Sequence, residues 1–118
     1  MDKVLYHYKE KVVSVYDGDT FTVDIDLGLH TWINGEKIRL NRINAPELRG
    51  NEKDKGLKSR NFLRSLIFDK EVFIDTIKDK KEKYGRYLAE IWLEDEKGKF
   101  ININDVMVQT GFAKYQKY

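Results

Sequence analysis

Residues 12–29, VVSVYDGDTFTVDIDLGL, decide the fold class. Two β-branched and aromatic runs flank Asp17-Gly18-Asp19, and Asp-Gly between such runs is a strong hairpin signal. Phe21, Val23, Ile25 and Leu27 alternate with Thr22, Asp24 and Asp26, the period of a strand with one buried face. Outward from this hairpin, TWINGEKIRLNRI (31–43) carries a second turn at Asn34-Gly35, so three strands follow as a meander. Asn44-Ala45-Pro46-Glu47 ends that sheet. From about Gly56 to Phe68, Leu57, Phe62, Leu63, Leu66 and Ile67 recur at helical spacing, with Lys58, Arg60 and Arg64 mainly off the stripe. EVFIDTI (71–77) reads as a fourth strand and YLAEIWLED (87–95) as a fifth, which Glu96-Lys97-Gly98 turns into FINI. Asn102 suits the N-cap of a short helix through Val106, Met107 and Gln109, with Gly111 as its stop. The expected fold is mainly β with helices (α+β): a five-stranded OB-type Greek-key barrel with two or three helices.

The chain has 118 residues, no cysteine and one proline. That length predicts a single domain over 1–118 with a core that needs no staples. Without cysteine, disulfides, thiolate–zinc sites, iron–sulfur clusters and cysteine nucleophiles are excluded. The 41% apolar content argues against disorder. No apolar run nears the roughly 20 residues of a membrane span, so no membrane partner is expected. The opening residues MDKVLYHYKEK lack a secretory signal's apolar run, and the chain is read as intracellular or as a mature secreted form. Net charge is only +2, but it is segregated. Residues 49–60 and 78–86 each carry five basic and two acidic groups, and 112–118 add Lys114 and Lys117. Those three stretches hold +8, which would suit an anionic ligand if they converge in space.

Three clusters carry candidate chemistry: Asp17-Gly18-Asp19-Thr20 on a tight turn, Arg39 to Glu47 at a strand end, and Lys83-Tyr84-Gly85-Arg86 in a basic loop. Singly each is weak, since Asp-Gly turns commonly only close hairpins and a strand arginine is commonly solvated. Together they fit one reaction. Asp19, Asn44 and backbone carbonyls are hard oxygen ligands suited to Ca²⁺. Two arginines match the oxygens of a phosphodiester. Glu47 can take a proton from an attacking water. Pro46 fixes its own φ and biases Ala45 toward an extended backbone, aiming the Ala45 carbonyl and setting Glu47 on a stiff turn. His7 and His30 stand alone and read as surface residues, and Ser14, Ser59 and Ser65 have no adjacent base, so a serine nucleophile has no support.

These motifs resemble the staphylococcal (thermonuclease, micrococcal) nuclease family. The resemblance runs from about Val12 to Lys114 through DGDT at 17–20, R-L-x-x-I-x-x-P-E at 39–47, KYGR-x-LA at 83–89 and Q-x-G-x-A-K at 109–114. It implies the OB-type barrel and Ca²⁺-dependent cleavage of DNA and RNA to 3′-phosphorylated products. Carried over by position, Asp19 is the first calcium carboxylate, Ala45 supplies a metal-binding carbonyl, Arg39 and Arg86 clamp the phosphate, and Glu47 is the general base. Lys83 and Tyr84 match residues that contact a terminal phosphate. Asn44 stands where the family has a second calcium aspartate, which keeps an oxygen ligand and removes a charge. Tyr115 and Tyr118 bracket the position of a base-stacking tyrosine, with Lys117 nearest to it.

The expected function is that of a Ca²⁺-dependent phosphodiesterase, an endonuclease acting on DNA or RNA with little sequence specificity. No protein partner is evident, and a monomer is expected. The alternative is a catalytically weak or inactive nucleic-acid-binding OB-type domain, toward which Asn44 would be a step. The intact Arg39, Glu47 and Arg86 favour the enzyme.

Overall fold

The computed structural model describes residues 7–81 and 85–116, with backbone alone for 7–10 and 77–81. Along the chain come β1 (His7–Asp17), β2 (Thr20–Gly28), β3 (Thr31–Leu40), the two-residue β4 (Ile43–Asn44), α1 (Lys53–Ile67), β5 (Glu71–Lys81), β6 (Tyr87–Glu94), β7 (Phe100–Asn102), α2 (Ile103–Gln109) and β8 (Lys114–Tyr115). The expected hairpin forms at Asp17-Gly18-Asp19, with Asp17 opposite Thr20. β1 also pairs antiparallel with β5, β2 with β3, and β5 with β6. Parallel pairing of β3 with β6 (Ile38 with Tyr87, Arg39 with Leu88, Leu40 with Ala89) closes these five strands into a barrel. The OB-type architecture expected from the strand and helix order is therefore the observed one.

The inward residues make the core: Phe21, Val23 and Ile38 from the hairpins, Ile74 and Ile91 from β5 and β6. Each such side chain contributes about 1.5–3 kcal/mol by leaving water. The alternation in β2 holds as far as Ile25, but Leu27 is exposed because the β2–β3 hairpin projects past the barrel. α1 buries Gly56, Ser59, Leu63 and Ile67, a stripe at helical spacing, and packs against β1. It begins three residues before the expected start, since Lys53, Asp54 and Lys55 carry no apolar signal.

α2 starts as its sequence predicts. The Asn102 side chain accepts a hydrogen bond from the Asp105 N–H at 2.8 Å. Its last carbonyls are taken by Gly111 N–H on Val108 and Phe112 N–H on Met107. Phe112 then stacks on Phe62 of α1, with ring centroids 4.4 Å apart. Asn104 is fully buried and satisfied, accepting from the Ile91 N–H and donating to the carbonyls of Asn41 and Ala89. That amide fastens α2 to the barrel edge that carries the site. No helix among the described residues is long and apolar enough to cross a membrane.

Candidate active site

The barrel topology gathers the candidate residues. β2–β3 pairing sets Thr20 opposite Arg39, and the parallel β3–β6 pairing delivers Arg86, just before β6, to the same end. Asp19, at the turn entering β2, is buried. Its Oδ1 accepts from the Thr20 hydroxyl at 3.1 Å and its Oδ2 from the Ala45 N–H at 2.8 Å. Arg39 Nη1 lies 3.2 Å from the same Oδ2, and both side chains are under a tenth exposed.

Nη1 of Arg39 also donates to the carbonyls of Leu40 (3.1 Å) and Ile43 (3.0 Å), while Nη2 reaches Asn44 Oδ1 at 3.3 Å. The guanidinium is thereby held in one orientation. Arg86 Nη1 donates to Thr20 Oγ1 at 3.0 Å, so Thr20 links Arg86 to Asp19. Glu47 stands exposed just beyond Pro46.

Two glycines permit this assembly by close approach. A Cβ on Gly18 would overlap the Ser59 hydroxyl and come within 2.7 Å of the Ala45 Cβ. A Cβ on Gly56 would overlap the Glu47 carbonyl oxygen. α1 is thus seated directly behind both the Asp-Gly-Asp turn and the glutamate.

A cleft of about 710 Å³ opens here, lined by Asp17, Asp19, Arg39, Asn44, Glu47 and Arg86 among others. The second carboxylate of the turn is Asp17, whose Oδ1 accepts from the Asp19 N–H at 3.0 Å. Burial, together with hydrogen bonding to and repulsion from the Asp19 carboxylate, pushes its pKa up to about 7, with the Asp19 N–H and then the Arg39 charge pulling the other way. No group of three or more His, Asp or Glu side chains suited to a metal gathers among the described residues.

The structure thus brings Asp19, Asn44, Ala45, Arg39, Glu47 and Arg86 to one cleft. Lys83, Tyr84 and Tyr118 lie outside the described residues. Tyr115 is not among the residues lining the cleft. It is 55% exposed, its hydroxyl donates to Asp105 at 2.9 Å, and the Arg42 guanidinium lies 5.8 Å from its ring centroid. Lys37, Tyr16 and Arg49 line the cleft without having been singled out from the sequence. Lys37 was within reach, being two residues from Arg39 on a strand and so on its face.

Fold and cleft together define a small OB-type barrel with arginines and carboxylates assembled at one end. Residues 37–118 match the family model described as staphylococcal nuclease homologue, and the chain belongs to that family. It is similar to the uncharacterized protein MJ1439 of Methanocaldococcus jannaschii, 34% identical over 92% of this chain and 59% of that protein. It is similar also to thermonucleases of Staphylococcus intermedius (30% identical, 91% of this chain) and Staphylococcus hyicus (28%, 92%), again over 59% of each. The chain therefore spans less than two thirds of the length of these relatives.

Proposed function

We propose that this chain is a Ca²⁺-dependent nuclease that hydrolyses phosphodiester bonds of DNA or RNA with little sequence specificity. The observation that carries the reading is the convergence of Arg39, Arg86, Asp19 and Glu47 on one open cleft. The family's nuclease relatives support it.

The residues present fit a hard cation. Asp19, Asn44 and the Ala45 carbonyl are all oxygen donors, and the 3.3 Å contact from Arg39 to Asn44 Oδ1 is long enough to yield to a cation. Ca²⁺ held there would place positive charge against the phosphate oxygens. With one carboxylate in that set, part of the charge balance falls to the substrate itself.

The remaining roles belong to the chain's own side chains. Arg39, pre-oriented by the Leu40 and Ile43 carbonyls, binds the scissile phosphate and the charge that builds on it, with little reorganisation. Arg86, steadied by Thr20, does the same. Glu47, exposed to water, takes the proton of the attacking water. The basic stretch at 49–60, which reaches the cleft at Arg49, guides the polyanion inward. Contacts to phosphate carry no base information, hence the low specificity.

The test is incubation with plasmid and single-stranded DNA across a Ca²⁺ titration, with a chelator control and the Glu47→Gln variant. Cleavage that rises with Ca²⁺, stops in chelator and loses turnover far more than affinity in Glu47→Gln is the expected result. Undiminished cleavage in chelator, or none at any Ca²⁺ level, overturns the reading.

A further inference from the structure

We propose that the outer face of β1–β3 beside the cleft is a subsite for one further nucleotide, with Tyr16 stacking on its base and Lys37 pairing with its phosphate. This rests on the cleft being a nucleic-acid site.

Strand register sets the arrangement. Asp17, Thr20 and Arg39 form one cross-strand row, and Ser14, Thr22 and Lys37 form the next. Residues two apart on a strand share a face, so Lys37 follows Arg39 outward by about 7 Å. That is the scale of one nucleotide step in an extended strand. Lys37 is exposed and lines the same cleft as Arg39.

Tyr16 comes to this face through an irregularity. The β1–β2 ladder shifts between Val15 and Asp17, leaving Tyr16 as the extra residue of a bulge. Bulges re-aim side chains and recur beside active sites. Tyr16 is 66% exposed yet lines the cleft, so it adds little to the core. In the Lys37 row, Ser14 and Thr22 line the cleft with small hydroxyl side chains, a low floor for a flat ring. The row beyond contains Asp24, whose carboxylate accepts from the Gly35 N–H at 3.0 Å. Lys11, opposite Asp24 in that row, is already paired with the Asp69 carboxylate at 3.2 Å, so the row offers a phosphate less than Lys37 does.

A tyrosine face and a lysine one step from a phosphate-binding arginine are the two elements of sequence-tolerant single-strand binding. The experiment measures anisotropy of a labelled short thymidine oligonucleotide in chelator. Steady-state kinetics with Ca²⁺ follow, on the same oligonucleotide and on a nitrophenyl ester of thymidine monophosphate. Tyr16→Ala should weaken oligonucleotide affinity and raise its KM by about tenfold, while Tyr16→Phe stays near wild type. Lys37→Ala should weaken binding and lower the salt slope by about one. Neither variant should change turnover of the nitrophenyl ester, which does not reach the subsite. Wild-type affinity in both alanine variants overturns the proposal. So does an equal loss on the ester, or an equal loss in Trp32→Ala, an exposed aromatic on the far hairpin. Wild-type protein that binds the oligonucleotide but cleaves neither substrate overturns the nuclease reading, and the affinities still decide the subsite.

Discussion

Arg42 and Glu90 meet through two parallel hydrogen bonds, Nε to Oε2 at 2.9 Å and Nη2 to Oε1 at 2.7 Å. Arg42 sits at the corner between β3 and β4 with φ of +68°, a backbone region few non-glycine residues adopt. Its third contact is Nη1 to Asp105 Oδ1 at 3.0 Å. Glu90 also accepts from the side chains of Asn41 and Asn102. The corner is therefore pinned to β6 and α2, and with it the segment that presents Asn44 and Ala45.

A double-mutant cycle of Arg42→Ala and Glu90→Ala should show about 1–2 kcal/mol of coupling in chemical denaturation. The Arg42 side chain is 42% exposed, which keeps the value below that of a buried pair. Coupling near zero would mean that the corner is held by the backbone alone.

Arg39→Ala should lose both turnover and stability. Removing a buried partner leaves the Asp19 charge uncompensated, at a cost of about 3 kcal/mol, and turnover should fall by about 10²–10³. Arg39→Lys should recover much of the stability and little of the turnover, since an ammonium cannot reproduce the fork. Arg86→Ala, at a half-buried site, should cost turnover with a smaller stability loss. Thermal unfolding and kinetics on the same samples check all three.

Gly56→Ala should impair the site from behind. Its methyl group would overlap the Glu47 carbonyl, so either α1 or the Pro46-Glu47 turn must shift. Overpacking of this kind costs about 1–3 kcal/mol. Turnover should fall although no cleft-lining side chain has changed. A variant with wild-type turnover would show that the position of Glu47 tolerates displacement.

Asn44→Asp should tighten Ca²⁺ binding about tenfold, a net gain of about 1–2 kcal/mol after desolvation and repulsion from Asp19. The new carboxylate would also hold Arg39 Nη2 more strongly, which offsets part of the gain. Calorimetric titration with a nucleotide phosphate analogue present is the measurement. Equal or weaker binding would remove Asn44 from the ligand set.

Asp17 gives the metal-free protein a pH signature. Its folded pKa of about 7 lies above its ordinary value of 3.8. Between those values the folded state holds the proton and the unfolded state does not, so stability falls as pH rises through that window. Asp17→Asn should flatten this dependence. Denaturation in chelator at successive pH values would reveal it, and a slope unchanged in the variant would assign it to another group.

Most of the barrel was legible because its signals are local. The Asp17-Gly18-Asp19 turn, the Phe21-Val23-Ile25 alternation and the Asn102 cap each depend on neighbours in the chain. β4 and β8 were not legible, being two residues each and existing only because they pair with each other. The site was legible as residue types but not as a network. Nothing local in the sequence says that Arg39 is ion-paired with Asp19, or that Thr20 bridges to Arg86. Tyr16 was hidden for a related reason, since a bulge breaks the alternation that would have assigned its face. Leu27 was misplaced by the opposite error: its alternation is regular, but the barrel ends before it.

The β4–β8 pairing also governs timing. Ile43 pairs with Tyr115, Asn44 with Lys114, and the Gln116 N–H donates to the Arg42 carbonyl at 2.7 Å. The segment that presents Asn44 and Ala45 thus receives its second strand from residues made roughly seventy positions later. On the ribosome, the hairpins and α1 can form while that segment still lacks its edge. The cleft's β4 edge is thus completed only once residue 116 has cleared the exit tunnel, so the arrangement of Asn44 and Ala45 is among the last parts of the described fold to be fixed.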